Sequence, residues 1–263
     1  MTPQTLPASP DRRDRAVMSQ RRIWRAYRVE ARYELLRMLR TPTFVVPTLL
    51  LPTFLYVLVS VAMVPPHTPP RRVAALFTGF CAFAIAGPGM FGFGTQLALE
   101  RQQGLLTLKR ALPMPSGAYI MAKTCIALLF AMIVMIQLSL LARFFAHVPL
   151  SAGQLVLVAA VNVCASVPFV AVGVYVGAAV PASGAQAVVY LIYFPMMYLS
   201  GLFFPLPGGL QRVQGLWPTY HVNRLAQLAA GVSSGGWALP VIVLVAITAI
   251  CGALAIRRLA RVG

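Results

Sequence analysis

Few residues in this chain are equipped for chemistry, and none stands in a catalytic grouping. The carboxylates are Asp11, Asp14, Glu30, Glu34 and Glu100, the histidines His67, His147 and His221, and the cysteines Cys81, Cys125, Cys164 and Cys251. An enzyme centre needs a nucleophile beside a base, an acid and a base facing one bond, or a metal held by several ligands. Glu100 has no histidine near it in sequence, and His221 has no carboxylate near it. Each cysteine lies in an apolar run, with neither CxxC nor metal-ligand spacing, so the cysteines read as small buried hydrophobes. The histidines are equally scattered, and no catalytic or metal site is expected.

The position of Glu100 is more informative than its chemistry. It is the single carboxylate beyond Leu35, in a polar island that also holds Arg101, Lys109 and Arg110. Glu100 suits the N-terminus of a short helix, and Lys109 and Arg110 suit its C-terminus. Leu105, Leu108 and Leu112 recur at steps of three and four, an apolar stripe on a loop helix that ends at Pro113. Two uses of that stripe stay open at this point: a partner's groove, or packing back on the chain's own bundle.

The elements around the island belong to a bilayer. The chain has 263 residues, 59% hydrophobic and 10% charged, with a mean hydropathy of +0.78. A soluble domain carries about a quarter charged residues. Six apolar stretches, at roughly 44–64, 73–99, 118–142, 154–180, 186–206 and 237–256, each approach or exceed the ~20 residues that cross the hydrocarbon core. Pro47, Pro52, Pro88, Pro168 and Pro195 predict kinks, and Pro181–Ala185 reads as a tight turn between the fourth and fifth spans. More than forty mostly polar residues precede the first apolar run, which is expected to stay as an anchor.

The net charge of +17 is distributed for a membrane rather than for nucleic acid. Ten of the 22 basic residues lie in positions 12–40, and the rest sit between spans, with no aromatic-interleaved groove. With the N-terminus inside, 17 lysines and arginines fall on the cytoplasmic side and five outside, which predicts a multi-pass protein of the cytoplasmic (inner) membrane with both termini cytoplasmic. Residues 1–19 read as a disordered cytoplasmic tail. Over 20–41, Trp24, Tyr27, Ala31, Leu35 and Met38 form one stripe of a helix, with arginines mostly on the other side, so an amphipathic helix lying in the headgroup plane is expected. Glu30 and Glu34, four residues apart, read as a solvated pair, with Arg37 three beyond Glu34 able to relieve one of them; a contact with a basic partner surface is the other reading. Lys123 reads as a span-end lysine that snorkels to the surface.

Before the sixth stretch, Ser200-Gly201-Leu202-Phe203-Phe204-Pro205 is followed by Pro218-Thr219-Tyr220-His221. So apolar a connection is expected to dip into the outer leaflet as short re-entrant helices. An aromatic interfacial belt is the other reading.

Taken in order, the basic amphipathic helix, the Glu-Arg-x-x-Gly-x-Leu-x-x-Leu segment ending at Pro113, the Ser-Gly-x-x-x-Pro run and the Pro-Thr-Tyr-His run resemble the permease subunit of ABC exporters of the ABC-2 type, over about residues 20–260. The resemblance implies an all-α integral membrane fold, a six-span domain over 42–263, and assembly with a second permease copy or paralogue and two ABC ATPase subunits. It implies a coupling helix seated on the ATPase through Glu100, Arg101, Gly104, Leu105, Leu108, Lys109, Leu112 and Pro113. It makes 20–41 an elbow helix near the ATPase, with Trp24, Tyr27, Glu30, Glu34 and Arg37 as its marked residues. It also implies exit helices at an outer gate with Ser200, Gly201, Phe204, Pro205, Pro218, Tyr220 and His221. Many members have Thr where this chain has Leu105. The chain has no Gly-x-x-x-x-Gly-Lys-Ser/Thr loop, so ATP and magnesium are expected on the partner ATPase and no cofactor on this chain.

The expected function is ATP-driven export of a hydrophobic or amphipathic cargo, such as a drug, a lipid-like molecule or a glycan-lipid. The path would be lined mostly by the second and fifth spans: Gly79, Gly87, Gly89, Gly92, Gly94, Thr95 and Gln96 in one, Tyr190, Tyr193, Tyr198 and Ser200 in the other. For the glycines, close helix packing is an equal reading. A proton-coupled carrier and a membrane-embedded lipid-modifying enzyme are the alternatives, and both lack the charged groups within spans or the acid–base pair they would need.

Overall fold

The computed structural model describes residues 20–62, 64–65, 67–106, 108 and 116–261. The expected tail at 1–19, and Lys109, Leu112 and Pro113 of the expected coupling helix, lie outside the described residues. Among the described residues every regular element is a helix. In chain order they are α1 (Gln20–Leu39), α2 (Pro42–Ala62), α3 (Pro70–Gly87), a π-helical turn (Pro88–Gly92), α4 (Phe93–Gln102), α5 (Ser116–Phe144), α6 (Ala152–Cys164), α7 (Val167–Ala179), α8 (Ala182–Leu199), a 3-10 helix (Leu210–Leu216), α9 (Pro218–Ala229) and α10 (Ala238–Arg261).

Six of these stretches are long and apolar enough to cross a membrane: Val45–Ala62, Pro70–Gln102, Tyr119–Phe144, Ala152–Ala179, Ala182–Leu199 and Ala238–Leu259. We refer to them as spans 1 to 6. The second, which joins α3, the π turn and α4, is the most buried, and spans 1 and 6 are the least. Span 2 is thus the core around which the others pack.

Several expected limits move by a few residues, and those of the fifth span move most. The fifth span ends at Leu199, not at 206, because Gly201 turns the chain in the left-handed region at φ 64. The turn between spans 4 and 5 is shorter than expected, since α8 already begins at Ala182. Span 4 is also interrupted: α6 stops at Cys164 and α7 restarts at Val167, with Pro168 in its first turn. Proline lacks the N–H of a continuing helix and is tolerated at a helix start. The Ser166 hydroxyl donates to the Val163 carbonyl at 2.7 Å and satisfies a backbone group freed by the break.

Spans 2 and 4 touch backbone to backbone. A methyl group at Gly173 would collide with the Gly89 carbonyl oxygen, and one at Gly177 with the Gly94 carbonyl oxygen. Five residues of span 2 thereby match four of span 4, and the wide π turn over Pro88–Gly92 supplies the additional residue. For Gly89 and Gly94 the packing reading therefore holds, and Gly79 likewise abuts the Leu202 backbone. Gly173→Ala should force the two spans apart and destabilise the protein by about 1–3 kcal/mol, read as a lowered midpoint in a detergent thermal-stability assay. An unchanged midpoint would show that the contact is looser than described.

Candidate functional site

The polar island is anchored at its start by buried charges. α4 runs through Gln102, so Glu100 sits in the last turn of a helix and not at the N-terminus of a new one. A carboxylate there faces the negative end of the helix dipole and needs cations close by. It has two. Lys123 Nζ, from the start of span 3, lies 3.2 Å from Glu100 Oε1, and Arg37 of α1 pairs with the same carboxylate. The Tyr119 hydroxyl donates to Glu100 Oε2 at 2.6 Å.

Lys123 also holds Glu34 Oε1 of α1 at 2.6 Å, and Arg37 lies 3.8 Å from Glu34 Oε2. Glu100 and Lys123 are fully buried, and Glu34 is 3% exposed. The cluster has two acids and two bases and is electrically balanced, as a group removed from water requires. The Lys123 ammonium further lies 4.9 Å from the centroid of the Tyr119 ring and 5.6 Å from that of Phe93. Burial alone would lower the Arg37 guanidinium, but Glu100 and Glu34 more than offset it and raise it, so Arg37 stays charged.

Three expectations are corrected by this arrangement. Lys123 does not snorkel: it is enclosed and bonded to two carboxylates. Glu34 is not solvated but faces Lys123. The Glu100 carboxylate is turned into the chain and is not offered at a surface for a partner. Tyr119 and Lys123, which sequence reasoning left out of the site, complete it. The signal for them was present: a lone carboxylate among apolar spans has to find a cation, and Lys123 is the lysine nearest a span interior.

Arg101 is bonded within the chain as well. Its guanidinium donates to the Ala178 carbonyl and, at 2.8 Å, to the Val180 carbonyl, closing the free C-terminal end of α7. The two charged residues at the start of the island thus tie the end of span 2 to α1, span 3 and span 4. Beyond them Gly104 turns the chain at φ 71, with open space where a side chain would stand, so glycine is required there by conformation alone. Leu105 and Leu106 are half-buried, and Leu108 is 64% exposed. On α1, Trp24 is exposed, Tyr27 and Glu30 are half-buried, and the Trp24 and Tyr27 rings are 6.4 Å apart.

The second sequence constellation forms a compact corner. Ser200 Oγ donates to the Met196 carbonyl at 2.6 Å and contacts the Thr219 hydroxyl, joining the end of span 5 to the first turn of α9. Pro218 opens α9, and His221 is buried with Nε2 donating to the Gly215 carbonyl at 2.8 Å. Tyr220 stacks edge-on against His221 at 5.3 Å, while Phe204 and Pro205 are exposed. α9 buries Val222, Leu225, Ala226 and Ala229 on one face.

Between spans 1, 2 and 5 runs an apolar groove of about 630 Å³. Tyr190, Tyr193, Gly87, Thr95 and Gln96 line it. Tyr198 is exposed elsewhere on span 5, and Ser200 is held in the corner described above. Phe91, Tyr190, Tyr193 and Phe194 form an aromatic wall, with Tyr190 and Phe194 stacked at 5.5 Å. Gln96 Oε1 is buried there with no partner among the described residues. The ion cluster and the groove share span 2, so a displacement of the Glu100 end would be felt at Gln96, one helical turn away.

The family model for the ABC-2 type transporter matches residues 25–226, which include α1 from Arg25 onward, the ion cluster, the groove and the Ser200–Thr219 corner. A comparison with curated proteins finds no match.

Proposed function

This chain belongs to the ABC-2 type transporter family and is a transmembrane subunit of an ABC transporter; we propose that it is an exporter permease moved by a separate ATPase. The observation that carries this reading is the buried ion cluster at the root of the 100–113 segment. A flexible loop would absorb a push. Here the segment begins at Glu100 and Arg101, which are bonded to α1, span 3 and span 4. Force applied at the exposed Leu108 therefore reaches four elements at once. The turn at Gly104 sets the angle of the lever.

In this reading both termini are cytoplasmic, α1 lies along the inner membrane surface, and the Ser200–Thr219 corner with α9 forms the outer gate. Two ATPase subunits bind ATP and magnesium, and their ATP-driven closure pushes the 100–113 segment and tilts the spans. A second copy or paralogue of this chain covers the face of span 5 that exposes Leu191, Phe194 and Tyr198. The groove between spans 1, 2 and 5 then faces the central path. Its aromatic wall and the Gln96 carbonyl favour a hydrophobic or amphipathic cargo with a hydrogen-bond donor.

Site-specific cross-linking tests the placement. Leu108→Cys, carrying a short photoreactive probe, should cross-link to the ATPase subunit co-expressed with this chain. Cross-links confined to this chain would mean that the segment packs back on its own bundle, and would remove the lever.

A further inference from the structure

We propose that a groove between α1 and the start of span 3 is a site for one anionic phospholipid of the adjoining membrane leaflet. The groove encloses about 800 Å³ and is walled by Ile23, Trp24, Tyr27 and Ala31 of α1 and by Met121 and Cys125 of α5, with Arg28 at its rim. Its walls suit hydrocarbon, and the charge stands at one edge. That edge is extended by the sequence: Arg21, Arg25, Arg28 and Arg32 recur at steps of four, three and four and form one continuous stripe of the helix beside the apolar one. The side chains of Arg25, Arg28 and Arg32 are exposed.

The other flank of α1 is already occupied. Glu34 and Arg37 point into the ion cluster with Lys123 and Glu100. Of the two carboxylates on α1, Glu34 is thus engaged by the cluster, and the arginine stripe contains no acid. An apolar slot with a row of guanidinium groups along one edge matches a molecule with an acyl chain and a phosphate at one end. A zwitterionic lipid would fill the slot but leave the stripe without a net counter-charge. An acidic protein surface would meet the stripe but leave the slot empty. This inference concerns the lipid-facing flank of α1 and holds whether or not the opposite flank couples to an ATPase.

The test uses the full chain in nanodiscs of phosphatidylcholine with and without phosphatidylglycerol. Native mass spectrometry after release into detergent should show phosphatidylglycerol retained in preference to phosphatidylcholine. Arg25→Gln with Arg28→Gln should reduce that preference about thirtyfold, each arginine near an anionic headgroup contributing about a fivefold factor. Both side chains are exposed, so the variant should fold. In parallel, alkylation of Gln20→Cys, which lines the groove outside every span, by a soluble maleimide, read at the peptide level, should be slowed by phosphatidylglycerol and not by phosphatidylcholine. Equal retention of the two lipids, or an unchanged preference in the double variant, would overturn the proposal. So would protection of that introduced cysteine that requires added ATPase subunit and ignores lipid charge, which would assign the stripe to a protein.

Discussion

Replacing Lys123 with methionine should destabilise the chain by about 3–5 kcal/mol, the cost of leaving buried charge without its partner. Methionine keeps the length and apolar stem of the side chain, so lost packing contributes little. What is lost is the ammonium held by Glu34 at 2.6 Å and Glu100 at 3.2 Å. Arg37 would remain as the one cation of the described cluster facing two carboxylates, and its side chain is itself 39% exposed. Thermal unfolding in detergent, followed by size-exclusion chromatography, measures the loss. The decisive comparison is the double variant Lys123→Met with Glu34→Gln. It restores electrical balance between Arg37 and Glu100 and should recover much of the stability, a coupling on the order of 1–3 kcal/mol. Losses that simply add would mean that the two groups do not act as one cluster. Arg37→Met should cost less than Lys123→Met, because water already reaches that side chain.

Gly104→Pro should separate hydrolysis from transport. Gly104 has φ 71, and proline is fixed near −65°. Its amide donates to the Arg101 carbonyl at 3.2 Å, a bond that proline cannot make. The turn must therefore reform, and Leu108 would leave its present direction. The ion cluster lies on the helical side of the turn and should survive, so the variant should insert, fold and retain its melting midpoint within about 1 kcal/mol. ATP hydrolysis by the assembled complex should continue while transport falls at least tenfold. Gly104→Ala is the milder control: it meets no neighbour and is strained by conformation alone, about 1 kcal/mol. Transport by Gly104→Pro at the level of the unaltered chain would show that the segment carries no force.

The hydropathy of the chain was enough to place the six spans, because the bilayer imposes one length on every element that crosses it. It failed where a single backbone conformation decided the end. Leu202, Phe203 and Leu206 prolonged the apolar run of span 5, and hydropathy is blind to the left-handed turn at Gly201 that stops it. Pro88 announced a disturbance in span 2. Its form as a π turn depends on matching Gly89 and Gly94 to Gly173 and Gly177, a tertiary register that no local pattern contains. Charge was legible as an inventory and not as a geometry. Glu100 looked like a helix start because the polar island began there, but the helix of span 2 ran two residues further. Lys123 looked like a snorkelling lysine because that is the habit of a lysine near a span end. Its two partners lie 89 and 23 residues away in the chain, beyond the reach of any helical spacing.

The ion cluster also bears on the rival reading of a proton-driven carrier, since buried carboxylates beside a lysine are the usual furniture of such proteins. Here the cluster is balanced, and it gathers where α1 meets the ends of spans 2 and 3, not along the groove between spans 1, 2 and 5. That placement suits a brace better than a relay. The measurement that separates the two is transport in proteoliposomes, with a panel of amphipathic dyes and a fluorescent phospholipid as probes. The chain reconstituted with its ATPase should move probe only when ATP and magnesium are supplied, and a proton gradient alone should move none. Probe movement by the chain without any ATPase, driven by a proton gradient, would contradict the account.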